Sequence, residues 1–303
     1  MVHRSLSYSL LVLLLAAPAC DEPTGRTDGQ VPTLEAPGDD DRAAGSSPCT
    51  TGWTSIDCHA QALTLDVDGL DRDVLWQVPA GSPPPGGWPV VLAFHGTNDP
   101  PGKMFYWSYY SAIDQAFGGY YQLKTVQGLL EAGFAVIAPR GRTMVGGIYW
   151  DTNIAPYASS WESGPDAAFV DRILAEAEAG TFGSLDTTRW YATGLSSGAY
   201  MSSRMAIAYP DKVRAVALQS GSYATCLSSL PCLVSAADLP ADHPPTLLMA
   251  GYWDGIVPLY TIESYEEALD DNGTEATLEV VGYASHQWTS YSPGWVLEWF
   301  QTH

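Results

Sequence analysis

Basic residues are scarce in this sequence. Lys and Arg number 13 against 34 Asp and Glu, a formal net charge of −21 over 303 residues. A field of that sign repels nucleic acid and anionic membrane surfaces, whose binders present Lys and Arg clusters. Long apolar runs are also missing. After the N-terminus no stretch approaches the roughly 20 apolar residues that a membrane-spanning helix needs. Cysteine is sparse, with no C-x-x-C pair and no His/Cys cluster at zinc spacing, so neither a zinc site nor a dithiol redox motif is expected. The acidic run Asp66-Val-Asp68-Gly-Leu-Asp71-Arg-Asp73 misses the EF-hand spacing, and Gln77 stands where the closing Glu belongs. It reads as a charged hairpin turn. No metal and no cofactor is called for.

The N-terminus reads as a targeting segment. Arg4 precedes an apolar run from Leu10 to Ala17, followed by Ala17-Pro18-Ala19-Cys20. That run suits a secretory h-region, with Ala17 and Ala19 forming an A-x-A cleavage site. The same residues before Cys20 read as a lipobox with an atypical Pro18, making Cys20 the lipidation candidate. Residues 1–19 are therefore expected as a signal peptide. Residues 20–48, rich in Pro, Gly, Asp and small polar residues, are expected as a flexible tether. The product is expected to be exported, either as a bacterial cell-envelope lipoprotein or as a freely secreted protein, with the membrane entering only through Cys20. Export leads to an oxidising compartment. Cys49, Cys58, Cys226 and Cys232 allow three connectivities, of which the close pairs Cys49–Cys58 and Cys226–Cys232 are expected.

Residues 49–303 read as one catalytic domain. "ALTLDV" and "DVLWQVPA" alternate around Asp68-Gly69, a hairpin signal. Apolar runs then recur at 89–96, 134–141, 189–196, 213–221, 245–254 and 276–284. Helical segments are expected at 122–132, 165–179, 198–209, 261–271 and 293–301. Ser163-Gly-Pro-Asp166 resembles a capping box for the second helix, and Pro210 ends the third. Short, continuous apolar strands alternating with helices give an α/β fold with a mostly parallel sheet covered on both faces.

Gly194-Leu195-Ser196-Ser197-Gly198 fits G-x-S-x-G between an apolar run and a helix. In such an elbow the middle residue, Ser196, projects above the sheet as a nucleophile, and the N–H of the next residue, Ser197, faces the developing oxyanion. A serine hydroxyl needs an imidazole to take its proton, and the imidazole needs a carboxylate to orient it. After Ser196 the chain offers His243, His286 and His303. His303 ends the chain, and His243, in "LPADHPP", reads as an exposed loop residue. His286 follows the last apolar run and is the expected base. Asp254, at the end of "TLLMAGYWD", is the expected acid; Asp238, Asp242, Asp270 and Asp271 read as surface charges. The second oxyanion donor is expected from the loop after "VVLAFHG", at the Thr97 N–H. His95 precedes it and reads as a support for that loop.

Together, "HG" after a strand, "PDAAFVDRIL", "RWYATGLSSGAYMSSRMAIAYPDKVRAVALQSG", "GYWDGIVP" and "SHQW" resemble the esterase/polyhydroxybutyrate depolymerase family of α/β hydrolases. The likeness runs from about residue 62 to 300 and is most specific over 186–221. It implies the α/β-hydrolase fold and a serine esterase using Ser196, Asp254 and His286. Its ester substrates would be polyesters or feruloyl and acetyl groups on polysaccharides. Thr97 stands where many members carry cysteine, and Ser285-His286-Gln287-Trp288 departs from the usual run at the base. Aromatics suggest substrate contacts, with Trp253 and Trp288, which flank triad residues, the foremost candidates. Two rival readings are a peptidase built on the same triad and a surface module that binds glycan or polyester without cleaving it.

Overall fold

The computed structural model describes residues 47–144, 147–154, 156–157, 160–226 and 232–303. Cys20, the expected signal peptide and nearly all of the expected tether lie outside the described residues.

Eight strands form the central sheet: β1 Gln61–Val67, β2 Leu70–Gln77, β3 Trp88–Phe94, β4 Ala135–Pro139, β5 Leu185–Leu195, β6 Val213–Gln219, β7 Thr246–Gly251 and β8 Ala276–Val281. Their spatial order is β8-β7-β6-β5-β3-β4-β2-β1. From β4 to β8 every neighbouring pair is parallel. The β1–β2 hairpin joins that sheet antiparallel through β2 and β4. Its turn is Asp68 (φ 54°) and Gly69 (φ 80°), both left-handed, which matches the twist of the flanking strands. Asp66 Oδ1 accepts the Gly69 N–H at 3.2 Å, so the acidic run is a turn.

Strands β3, β4 and β7 are buried along their whole lengths, because helices cover both faces. Side chains alternate between those faces. Val90, Leu92 and Phe94 pack with helices α2 (Pro165–Glu178), α3 (Ser197–Ala208) and α4 (Leu259–Asn272). Val91 and Ala93 pack with α1 (Gly119–Glu131) and α5 (Ser292–Thr302) on the other face. The expected capping box before α2 does not form. Gly164 is the N-cap, with Pro165 in the first turn. Asp166 instead turns inward to Arg72 at 2.7 Å, with both side chains nearly inaccessible. Asp151 and Asp166 exchange backbone N–H bonds, Asp151 also pairs with Arg142, and Arg72 stacks on Phe169. This buried cluster ties Arg140, Arg142, Asp151 and the start of α2 to the sheet through Arg72.

Cys49 pairs with Cys58 and Cys226 with Cys232. The first bridge braces a small sheet of Thr50–Thr51, Ser55–Asp57 and Tyr106–Ser108, which the sequence pattern did not suggest. His243 is buried, not exposed: its ring bonds the Tyr265 hydroxyl at 2.9 Å and the Pro244 carbonyl.

Candidate active site

In a parallel sheet the loops leaving the C-terminal strand ends share one edge. The candidate residues gather there. Ser196 follows β5 directly and has φ 57° and ψ −123°, a conformation uncommon outside glycine. Its N–H donates to the Gln219 carbonyl at 3.0 Å, and its carbonyl accepts the Ala199 and Tyr200 N–H groups, so strand and helix clamp the turn from both sides. A Cβ at Gly198 would overlap the Phe94 carbonyl, and one at Gly194 would crowd Gly198. The two glycines thus let β5, β3 and α3 approach closely enough to make the elbow. Ser196 is the one half-buried residue in a run of buried neighbours.

The second serine is differently employed. Ser197 is buried, and its Oγ accepts the Thr97 hydroxyl at 3.0 Å. The two residues expected as oxyanion donors are therefore joined through their side chains. Ser197 also opens α3, where free N–H groups and the helix dipole favour negative charge. On the other side, the Thr97 loop is braced by His95. That ring donates from Nδ1 to the Gly96 carbonyl at 2.7 Å, and Nε2 accepts the Gly141 N–H at 2.9 Å. Trp150 Nε1 donates to the His95 carbonyl. Burial lowers the His95 pKa to about 4; the Gly96 bond opposes it, and Arg140 and Arg72 add to it. His95 is a neutral strut.

Beyond β7, Asp254 Oδ1 accepts the Ile256 and Val257 N–H groups at 2.9 and 2.8 Å. Oδ2 faces His286 Nδ1 at 2.8 Å. The Trp253 N–H bonds the Ala284 carbonyl, latching the Asp254 loop to the His286 loop. Burial would raise the Asp254 carboxyl. The His286 bond and the two backbone donors outweigh burial and hold it below the ordinary carboxylate range. An ionised Asp254 fixes the proton on Nδ1 and leaves Nε2 free to accept another. Among the described residues Ser196 Oγ makes no side-chain hydrogen bond. Such bonds often tighten only when substrate is present.

The aromatic candidates part company. Trp253 is 69% exposed, with its ring against Tyr252. Trp288 is 1% exposed and packs in the core on the α1 and α5 side, so it cannot touch substrate and that expectation is corrected. Trp150 and Trp161 are core residues as well. Phe117, to which no sequence motif points, stands edge-on to His286 with ring centroids 5.9 Å apart.

A poly(3-hydroxyoctanoate) depolymerase from Pseudomonas fluorescens is 44% identical over 250 residues, spanning 82% of this chain and 86% of that protein. The chain belongs to the esterase/polyhydroxybutyrate depolymerase family of α/β hydrolases. It is a serine-type carboxylic ester hydrolase. The family's fold is also that of solved structures at low identity. A Bacillus cereus carboxylesterase superposes with TM-score 0.53 at 16% identity, over 76% of this chain and 94% of that one. A Pyrococcus horikoshii acylaminoacyl peptidase gives 0.54 at 16% identity, over 80% of this chain but 41% of its own. No protein-family model matches the chain.

Proposed function

We propose that this family member is an exported polyester depolymerase that works through an acyl-enzyme on Ser196. The observation that carries the reading is the His286 Nδ1–Asp254 Oδ2 bond of 2.8 Å, made at the sheet edge where Ser196 occupies its strained elbow. Ser196 Oγ attacks the ester carbonyl while its proton passes to His286 Nε2. The Thr97 and Ser197 N–H groups receive the oxyanion. Collapse breaks the ester C–O bond, and the alcohol leaves with the proton from Nε2. Water then gives a proton to Nε2, its oxygen attacks the acyl carbonyl, and the acid is released as Ser196 recovers its hydrogen. Ionised Asp254 keeps the imidazole oriented throughout.

The polyester class is supported by the 44% identical depolymerase. It also suits a site edge bearing exposed Trp253, Tyr252 and Tyr283. Export is supported by the leader-like N-terminus and two disulfides, with Cys20 as the point of lipid attachment. A substrate panel tests the reading: polyhydroxyalkanoate film, feruloylated arabinoxylan, acetylated xylan, a peptide amide and p-nitrophenyl butyrate. Film and butyrate hydrolysis, both lost in Ser196→Ala, is the expected result. Activity on arabinoxylan, xylan or peptide with none on film would refute the polyester assignment. Film binding without any hydrolysis would make the chain a binding module.

A further inference from the structure

Among the described residues Phe117 is the bulkiest non-glycine residue with positive φ, at φ 54° and ψ 31°. A large side chain in the left-handed region is disfavoured by its Cβ and persists only where something holds it. Core packing does not account for it, because Phe117 is 46% exposed. The next residues show where the backbone itself demands glycine. A Cβ on Gly118 would overlap the Trp288 carbonyl, and one on Gly119 the Asp114 carbonyl. Glycine is used at both, yet phenylalanine is kept at the adjoining position whose φ also favours glycine.

The turn is anchored on both sides of the catalytic edge. The Phe117 carbonyl accepts the Trp288 N–H at 2.9 Å, two residues beyond His286. The Ala116 carbonyl accepts Lys103 Nζ, and Lys103 forms a buried 2.7 Å ion pair with Asp99. The Asp99 N–H in turn bonds the Gly96 carbonyl beside Thr97. The turn is thereby tied to the Thr97 loop on one side and the His286 loop on the other, and the Phe117 ring meets the imidazole in a T-shaped contact with part of its surface open.

We propose that Phe117 is a specificity-determining residue: its ring is the apolar wall along which the aliphatic chain of the ester lies when the carbonyl reaches Ser196. The proposal rests on the assignment of Ser196 and His286 above. It names the ligand chemistry of this wall as aliphatic chains several methylenes long.

The test uses the full chain and p-nitrophenyl acetate, butyrate and octanoate. Phe117→Asn keeps a residue type that tolerates the left-handed region and removes the apolar wall. The octanoate-to-acetate ratio of kcat/KM is expected to fall about tenfold, with the loss carried by KM, the low end of what a methylene in an apolar pocket is worth, because this wall is half open to solvent. Phe117→Leu should recover most of the ratio, and the Asn variant should melt no lower than the parent. An unchanged ratio, or a loss equal at every chain length, overturns the proposal. So does a lowered melting temperature without rescue by Leu. These outcomes are separable from failure of the catalytic reading, which would show as a parent chain inactive on every ester or an active Ser196→Ala.

Discussion

Asp254→Asn is the most informative single substitution, because the surroundings of the carboxylate dictate how the amide must sit. Oδ1 accepts two backbone N–H groups, from Ile256 and Val257. An amide NH2 placed there would set donor against donors, so the new side chain must keep its oxygen toward Ile256 and Val257. Its NH2 then faces His286 Nδ1 across the 2.8 Å that Oδ2 now spans. Nδ1 becomes the acceptor, the ring proton moves to Nε2, and the base can no longer take the Ser196 proton. The fold should survive, because shape and both backbone bonds are kept. Displacing the tautomer in such a triad costs about 10⁴ in kcat, or about 5 kcal/mol of transition-state stabilisation. Steady-state hydrolysis of p-nitrophenyl butyrate measures it, with near-UV circular dichroism to check the fold. A loss of less than about tenfold in a folded variant would show that Asp254 does not orient the base.

Stability should also depend on pH in a defined window. Burial lowers both His95 and His243 to about 4, against about 6.5 in an unfolded chain. The unfolded chain then binds more protons between those values, so stability falls as pH drops from about 6.5 to 4, by up to about 3 kcal/mol for each ring. Urea unfolding at a series of pH values checks this, and His243→Gln should flatten the slope. Arg72→Ala leaves Asp166 buried without its cation and should cost about 3–5 kcal/mol, read as a lower melting temperature. In Gly198→Ala the new Cβ meets the Phe94 carbonyl, so both folding yield and activity should fall.

Most of the scaffold is legible in the chain because both-face burial writes strands as unbroken apolar runs. The expected runs overshoot at their C-terminal ends. The run 245–254 shrinks to Thr246–Gly251 and 276–284 to Ala276–Val281, because the loops carrying Asp254 and His286 are themselves apolar. Chain order points to Ser196, Asp254 and His286, and the Asp254–His286 contact follows from two neighbouring strand ends. What was not legible depends on long-range partners. Trp288 adjoins His286 in sequence, yet its side chain turns into the core while the imidazole turns to Asp254. His243 sits in a proline-rich polar stretch, but Tyr265, 22 residues later, draws it inside. Asp166 looks like a capping residue until Arg72, 94 residues earlier, is brought beside it. Phe117 carries no local signal except the two glycines that follow it.

Ser196, and not its neighbour Ser197, is the proposed nucleophile. Labelling with a fluorophosphonate followed by peptide mass mapping tests it directly, since only an activated serine reacts. One adduct is expected, on Ser196, absent from Ser196→Ala and retained in Ser197→Ala, which keeps its backbone N–H. An adduct on Ser197, or undiminished ester hydrolysis by Ser196→Ala, would contradict it.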